Sequence, residues 1–319
     1  MLRRWVGSTL VTTLVTACNA RAPHTDGNAA GADAGAVTVS SAAPRPTAAP
    51  LSASDCGKIP CRIFPDAAAA FSTVLYPLPV VLAIGESHAQ QGTESVESTT
   101  RHFMRELLPE LAGRATDLVI ELMLPNPKCA PAANKARQEQ KVVTEHQAKT
   151  DQSDYVELGT RAKALGIAPH ALEPTCDDLA LIAKAGPDVV TVSLDVVTRL
   201  MQETVSKLVA AHVAAKDNRA VVAYGGLMHN DVEPRPETAQ WSFGPALRTL
   251  TANHYTELDL VSPEQIKDTP TWNALPWVPG FDRDAHVGRT VLLSASAGSY
   301  VLVFSRATTM PVVPSASPR

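Results

Sequence analysis

Aromatic side chains are scarce in this 319-residue chain, at 5% of its residues. It also lacks any basic run with aromatics interleaved, and its formal net charge is −4, so a nucleic-acid surface is excluded as its working face. None of its five cysteines forms a Cys-x-x-Cys pair, which removes a local zinc–thiolate clasp. No HExxH-like spacing is present either. The apolar stretch from Trp5 to Val15 is too short to span a bilayer as a helix.

What that stretch does fit is export. Arg3 and Arg4 precede it, and Val15-Thr16-Ala17-Cys18 closes it with small residues, so residues 1–17 read as a signal peptide. Cys18 in that setting resembles the acylated cysteine of a bacterial lipobox. With Asn19 rather than Asp after it, the expected location is the bacterial cell envelope, lipid-anchored at the outer membrane. Residues 18–54, mostly Ala, Gly, Pro, Ser and Thr, cannot bury enough surface to offset chain entropy and read as a disordered tether; residues 308–319 read likewise as a tail. Four cysteines remain, and an even number in an exported protein points to disulfides. Of the three pairings, Cys56 with Cys61 is favoured because they bracket a short Gly-Lys-Ile-Pro turn, leaving Cys129 with Cys176.

Residues 55–307 have the length of one substantial domain. Short apolar runs alternate with helical patterns, which predicts a single three-layer α/β domain: a largely parallel central sheet, helices on both faces, and an antiparallel edge hairpin near the C-terminus. Strands are expected near 79–84, 117–122, 167–172, 220–224, 254–260, 289–294 and 299–305. Helices are expected from Thr93 to Leu108, on a stripe of Val96, Thr100, Phe103, Met104 and Leu107, and from Pro187 to about Asn218. The Lys/Gln/Glu-rich stretch 125–154, which includes His146, reads as a polar insertion over the carboxyl edge of the sheet, where lids form.

One motif occurs twice. Val80-Val81-Leu82-Ala83-Ile84 runs into Gly85-Glu86-Ser87-His88, and Ala220-Val221-Val222-Ala223-Tyr224 runs into Gly225-Gly226-Leu227-Met228-His229. Histidines just past buried strands stand where open α/β folds place their ligands. Two further strands end in Glu121 and Glu173, and buried carboxylates need partners. Glu86, His88, Glu121 and His229 are therefore the candidate catalytic residues. In one use, His88 or His229 is a general base oriented by a Glu. In the other, His88, Glu121 and His229 hold a divalent metal. Arg101, Glu173 and Asn230 are candidate substrate contacts. Gly85-Glu86-Ser87-His88-Ala89 also approximates a serine nucleophile elbow, but it follows the first strand instead of a later one.

Strand, Gly-Glu-x-His, helix, then a strand ending in Glu (Val80 to His88 and Leu118 to Glu121), with Gly226-Leu227-Met228-His229 as a second motif, resembles the erythromycin esterase, ChaN and Tiki/TraB superfamily over about residues 78–260. The resemblance implies three chemistries: Glu/His hydrolysis of a lactone, haem binding by ChaN-like lipoproteins, and metal-dependent peptide hydrolysis by Tiki-like members. Ala89 departs from the Gly of typical esterases, and Arg101 lies farther from His88 than their arginine. Haem pockets want large flat apolar walls, which the few aromatics do not supply. The reading is a membrane-anchored hydrolase of an ester or peptide bond, acting on a small molecule or peptide. The alternatives are a haem- or metal-binding lipoprotein, with haem or a divalent metal as cofactor, and a non-catalytic cell-surface interaction module.

Overall fold

The apolar runs that end in the two Gly-containing motifs lie side by side in the centre of one sheet. The computed structural model describes residues 52–56, 59–89, 91, 95–124, 126–141, 148, 151–282 and 288–306. The signal peptide, Cys18, His146, the tail and the tether up to Leu51 lie outside the described residues. Among the described residues nine strands form the sheet: β1 (Ser52–Cys56), β2 (Ile59–Phe64), β3 (Val81–Glu86), β4 (Ala115–Met123), β5 (Ala168–Leu172), β6 (Ala220–Gly226), β7 (Tyr255–Val261), β8 (Thr290–Ser296) and β9 (Ser299–Val303). Their order is β1-β2-β8-β9-β7-β3-β6-β4-β5. From β9 to β5 all neighbours are parallel, and β8, β2 and β1 add antiparallel pairs beyond.

Alternation along the strands gives the sheet two apolar faces. Leu82, Ile84, Leu118, Ile120, Val222 and Tyr224 belong to one core, packed against Phe103, Leu107, Tyr155 and Leu158. Val81, Ala83, Val119, Val221 and Ala223 belong to the other, packed against Leu179, Val197, Met201 and Val205. The helices are α1 (Ala67–Val74), α2 (Thr99–His102), α3 (Ala130–Glu139), α4 (Asp151–Ala164), α5 (Cys176–Lys184), α6 (Val189–Ala215), α7 (Gly244–Leu250) and α8 (Pro270–Asn273). Layers on both faces make this the expected three-layer α/β fold. Among the described residues no helix is long and apolar enough to cross a membrane.

The expected hairpin is β8–β9, turning through Ala297 and Gly298, whose φ of +81° is one that Gly adopts freely. The strands β1 and β2 are not anticipated from sequence, and β1 takes up the last residues assigned to the tether. Neither carries an apolar run; β2 is recruited by its ladder with β8 from Cys61 to Phe64, beyond which Pro60 lacks a ladder donor. The helix expected over 93–108 is shorter. Ser98 caps α2 by accepting the Arg101 amide, and α2 passes into a π-turn (Phe103–Leu107) and a 3-10 turn (Leu108–Leu111) containing Pro109, which breaks the ladder. The expected long helix is α6, ended by Lys216 at φ 53°.

The part of the polar insertion that forms α3 is packed into the fold. Ala133 and Ala136 of α3 are buried in the second core, and the Cys129–Cys176 disulfide joins the start of α3 to α5. Cys61 is also disulfide-bonded; the side chain of Cys56, its expected partner, lies outside the described residues.

Candidate functional site

The strands β3 and β6 end together, with Glu86 beside Gly226. Glu86 shares the face of Leu82 and Ile84, so the pleat aims a carboxylate into an apolar layer. Four donors satisfy it there. The Oε1 atom accepts from Tyr155 (2.8 Å) and faces His88 Nδ1 (3.0 Å); Oε2 accepts from Thr100 (2.5 Å) and Tyr224 (2.9 Å). Burial, then the charge of Glu86, pushes both phenols well above their usual range, so they remain donors.

His88 lies at the rim of this layer, with 10% of its side chain exposed. Burial opposes its charge, but the hydrogen bond and charge of Glu86, with Glu121 and Asp151 behind them, raise it to about 9. A carboxylate can only accept, so Nδ1 carries a proton. The resting ring at neutral pH is an imidazolium, a proton donor where the sequence led to a base. Its Nε2 lies over Gly226: a Cβ there would stand 2.9 Å from Nε2.

Glu121 and His229 come from the other side of the sheet. Glu121 Oε2 accepts the Gly226 amide (2.7 Å), and a side chain at Gly225 would collide with the Glu121 carboxylate. His229 Nδ1 faces the Trp241 carbonyl (2.8 Å), which fixes a proton on Nδ1, and Thr198 Oγ1 (3.0 Å). Its Nε2 is 3.6 Å from Glu121 Oε1, a buried oxygen with no hydrogen-bond partner among the described residues. The two Glu/His couples thus approach the same strand end, at Gly226, from opposite faces.

The structure brings Glu86, His88, Glu121 and His229 together as expected from sequence. It does not make His88, Glu121 and His229 a ligand set: among the described residues no three His, Cys, Asp or Glu side chains are grouped to hold a metal. Arg101 pairs through Nε with the buried Asp154 (2.9 Å), which also accepts from Ser98 (2.7 Å), and so ties α2 to α4. Asn230 is buried and bonded to Asp259 (3.0 Å), on the opposite side of the sheet from Glu86. Glu173 is exposed on a shallow pocket with Leu124, Asn126 and Pro127, none of them in the Glu86 network. Ser87 donates to Gln265 Oε1 (2.8 Å), away from His88, so the elbow geometry is not formed.

Thr100, Tyr155 and Asp151 are site residues that sequence reasoning missed. Thr100 falls on the core stripe read from helical spacing, and nothing in that spacing marks it as a donor to Glu86. Asp151 starts α4 with its side chain buried, and burial first, then the charges of Glu86 and Asp154, raises it to about 7 against the opposing pull of His88.

No protein-family model matches the chain, and no curated protein matches it. A solved structure of the type III effector HopBA1 is similar to it at 11% identity over 74% of this chain and 94% of that one, with a TM-score of 0.32. A likeness that slight carries no argument about activity.

Proposed function

We propose that this protein is a hydrolase of an ester or related acyl bond, held at the cell envelope through Cys18, in which His88 is the acid that protonates the leaving group. One observation carries the reading: His88 Nδ1 is bound to a buried carboxylate whose other acceptor sites are filled by Tyr155, Thr100 and Tyr224. That arrangement fixes the ring, stabilises its charge and leaves Nε2 as the nitrogen that can serve a substrate. Glu86 is the orienting residue. Glu121, bound to the Gly226 amide, holds the floor over which Nε2 lies.

The test uses the full chain with chromogenic esters, lactones and peptides. Turnover is expected, falling at least about 100-fold in His88→Ala with the circular-dichroism spectrum retained. Undiminished turnover in that variant, or no turnover of any of the three bond types by the parent, overturns the proposal.

A further inference from the structure

A general acid needs a partner that takes the proton of the attacking water, and the sequence offered none besides the histidines. We infer that Asp151 is that partner, the base that faces His88 across the reacting bond. The inference rests on the hydrolase reading above and adds a residue to it.

Placement is the first argument. The Ala148 amide donates to the carbonyl of Ala89, the residue after His88 (3.0 Å), and the Asp151 amide donates to Ala148 (3.2 Å). The start of α4 is therefore pinned onto the segment that carries His88. Asp151 and Tyr155 are one helical turn apart on one face, and the Tyr155 hydroxyl touches Glu86 (2.8 Å) and stands 3.4 Å from His88 Nδ1. Since α4 leads into the parallel strand β5, its amino end lies at the carboxyl edge of the sheet. Asp151 consequently stands one turn farther toward that edge than Tyr155, on the side from which a substrate arrives.

Its bonding is the second argument. Asp151 is 4% exposed, and its Oδ2 has no hydrogen-bond partner among the described residues. A buried oxygen in that state is costly unless a ligand or water donates to it. The charged groups facing it are His88 and Glu86 from the end of β3 and Asp154 from its own helix, and Arg101 is taken up by Asp154. With the carboxyl at about 7 and the imidazole at about 9, carboxylate and imidazolium coexist between those values.

The step balances without another reactant. Water gives a proton to Asp151 Oδ2 while its oxygen bonds the acyl carbon. The tetrahedral adduct then breaks its bond to the leaving oxygen, which takes the proton from His88 Nε2. Proton return from Asp151 to His88 through water restores both groups, leaving acid and alcohol.

The experiment compares the parent, Asp151→Asn, Asp151→Glu and His88→Ala, all as full chains. The parent should give a bell-shaped kcat/KM profile with limbs near 7 and 9. Asp151→Asn should lose the lower limb and about 100-fold or more in kcat, and Asp151→Glu should recover part of it. Independently of turnover, the His88 ring proton, assigned by its loss in His88→Ala, should titrate at lower pH in Asp151→Asn because a negative neighbour is gone. An unchanged His88 midpoint, or Asp151→Asn keeping both kcat and the lower limb, overturns the inference. If Asp151→Asn does not fold, Asp151→Glu carries the comparison, and a lower limb that it leaves unshifted overturns the inference. Turnover retained in His88→Ala instead strikes the hydrolase reading, so the two failures are distinguishable.

Discussion

Tyr155 and Tyr224 reach Glu86 from different layers of the fold and donate to different oxygens of its carboxylate, at 2.8 and 2.9 Å. One comes from α4 and the other from β6, and their rings meet edge-on with centroids 5.8 Å apart. The carboxylate is thereby held from two layers, and with it the His88 Nδ1–H whose hydrogen bond it accepts. Orientation of the histidine is thus set by contacts that close only when helix and sheet are docked.

Replacing either tyrosine by phenylalanine leaves a buried carboxylate short of a donor, at a cost of about 1–3 kcal/mol. Urea unfolding should show comparable losses for Tyr155→Phe and Tyr224→Phe. Turnover should separate them. Tyr155 also neighbours His88, so its loss is expected to reduce kcat more. Equal kcat in the two variants would show that Tyr155 serves Glu86 alone.

Adjacent glycines crowd different partners. At Gly226 an added Cβ would stand 2.9 Å from His88 Nε2, so the ring must shift against its bond to Glu86, and 3.6 Å from Glu121 Oε2, an ordinary contact. Gly226→Ala is expected to fold, to lose activity, and to lose at most the Glu86–His88 contribution to stability. At Gly225 the Cβ collides with the Glu121 carboxylate, which is buried and bonded to the Gly226 amide. Gly225→Ala should lose on the order of 2 kcal/mol, as overpacked sites do. Thermal melts and turnover of the pair check both statements.

Stability should decline as pH rises. His88 is raised from 6.5 to about 9, so its contribution is complete below 6.5 and is lost as pH climbs through about 9. The amount is on the order of 3 kcal/mol. Asp151 and Glu257, each raised to about 7, add loss in the same direction at lower pH, from about their unfolded values up to 7. Unfolding midpoints in urea at pH 6 and pH 9 should therefore differ, and His88→Gln should flatten that interval. A parent equally stable at both would contradict the Glu86–His88 coupling.

Much of the fold is legible because parallel strands buried on both faces read as unbroken apolar runs: Val81 to Ile84, Leu118 to Ile120, Ala220 to Tyr224. Glu86, His88, Glu121 and His229 are legible for the same reason, as polar residues that interrupt such runs at their ends. The strands β1 and β2 are not, since only the ladders of β2 with β8 and of β1 with β2 make them strands. Nor are Thr100, Tyr155 and Asp151. Each sits on a helix where its residue type has an ordinary reading, and its role arises from docking onto Glu86 or His88 across intervening chain. Glu173 shows the converse: a strand-end carboxylate that the sheet leaves facing solvent.

The disulfide between Cys129 and Cys176 closes a ring with a sequence separation of 47, and that ring contains Asp151, Asp154 and Tyr155. Chain-entropy arguments give such a closure about 4 kcal/mol. Two of the groups that surround His88 therefore reach their places on a segment tethered at both ends. Oxidation of the two thiols at the ends of that segment becomes part of assembling the surroundings of His88, so a still-reduced chain would carry His88 and Glu86 in sequence yet hold the residues that face them less firmly. Formation of that disulfide and competence of the site are, in this architecture, coupled.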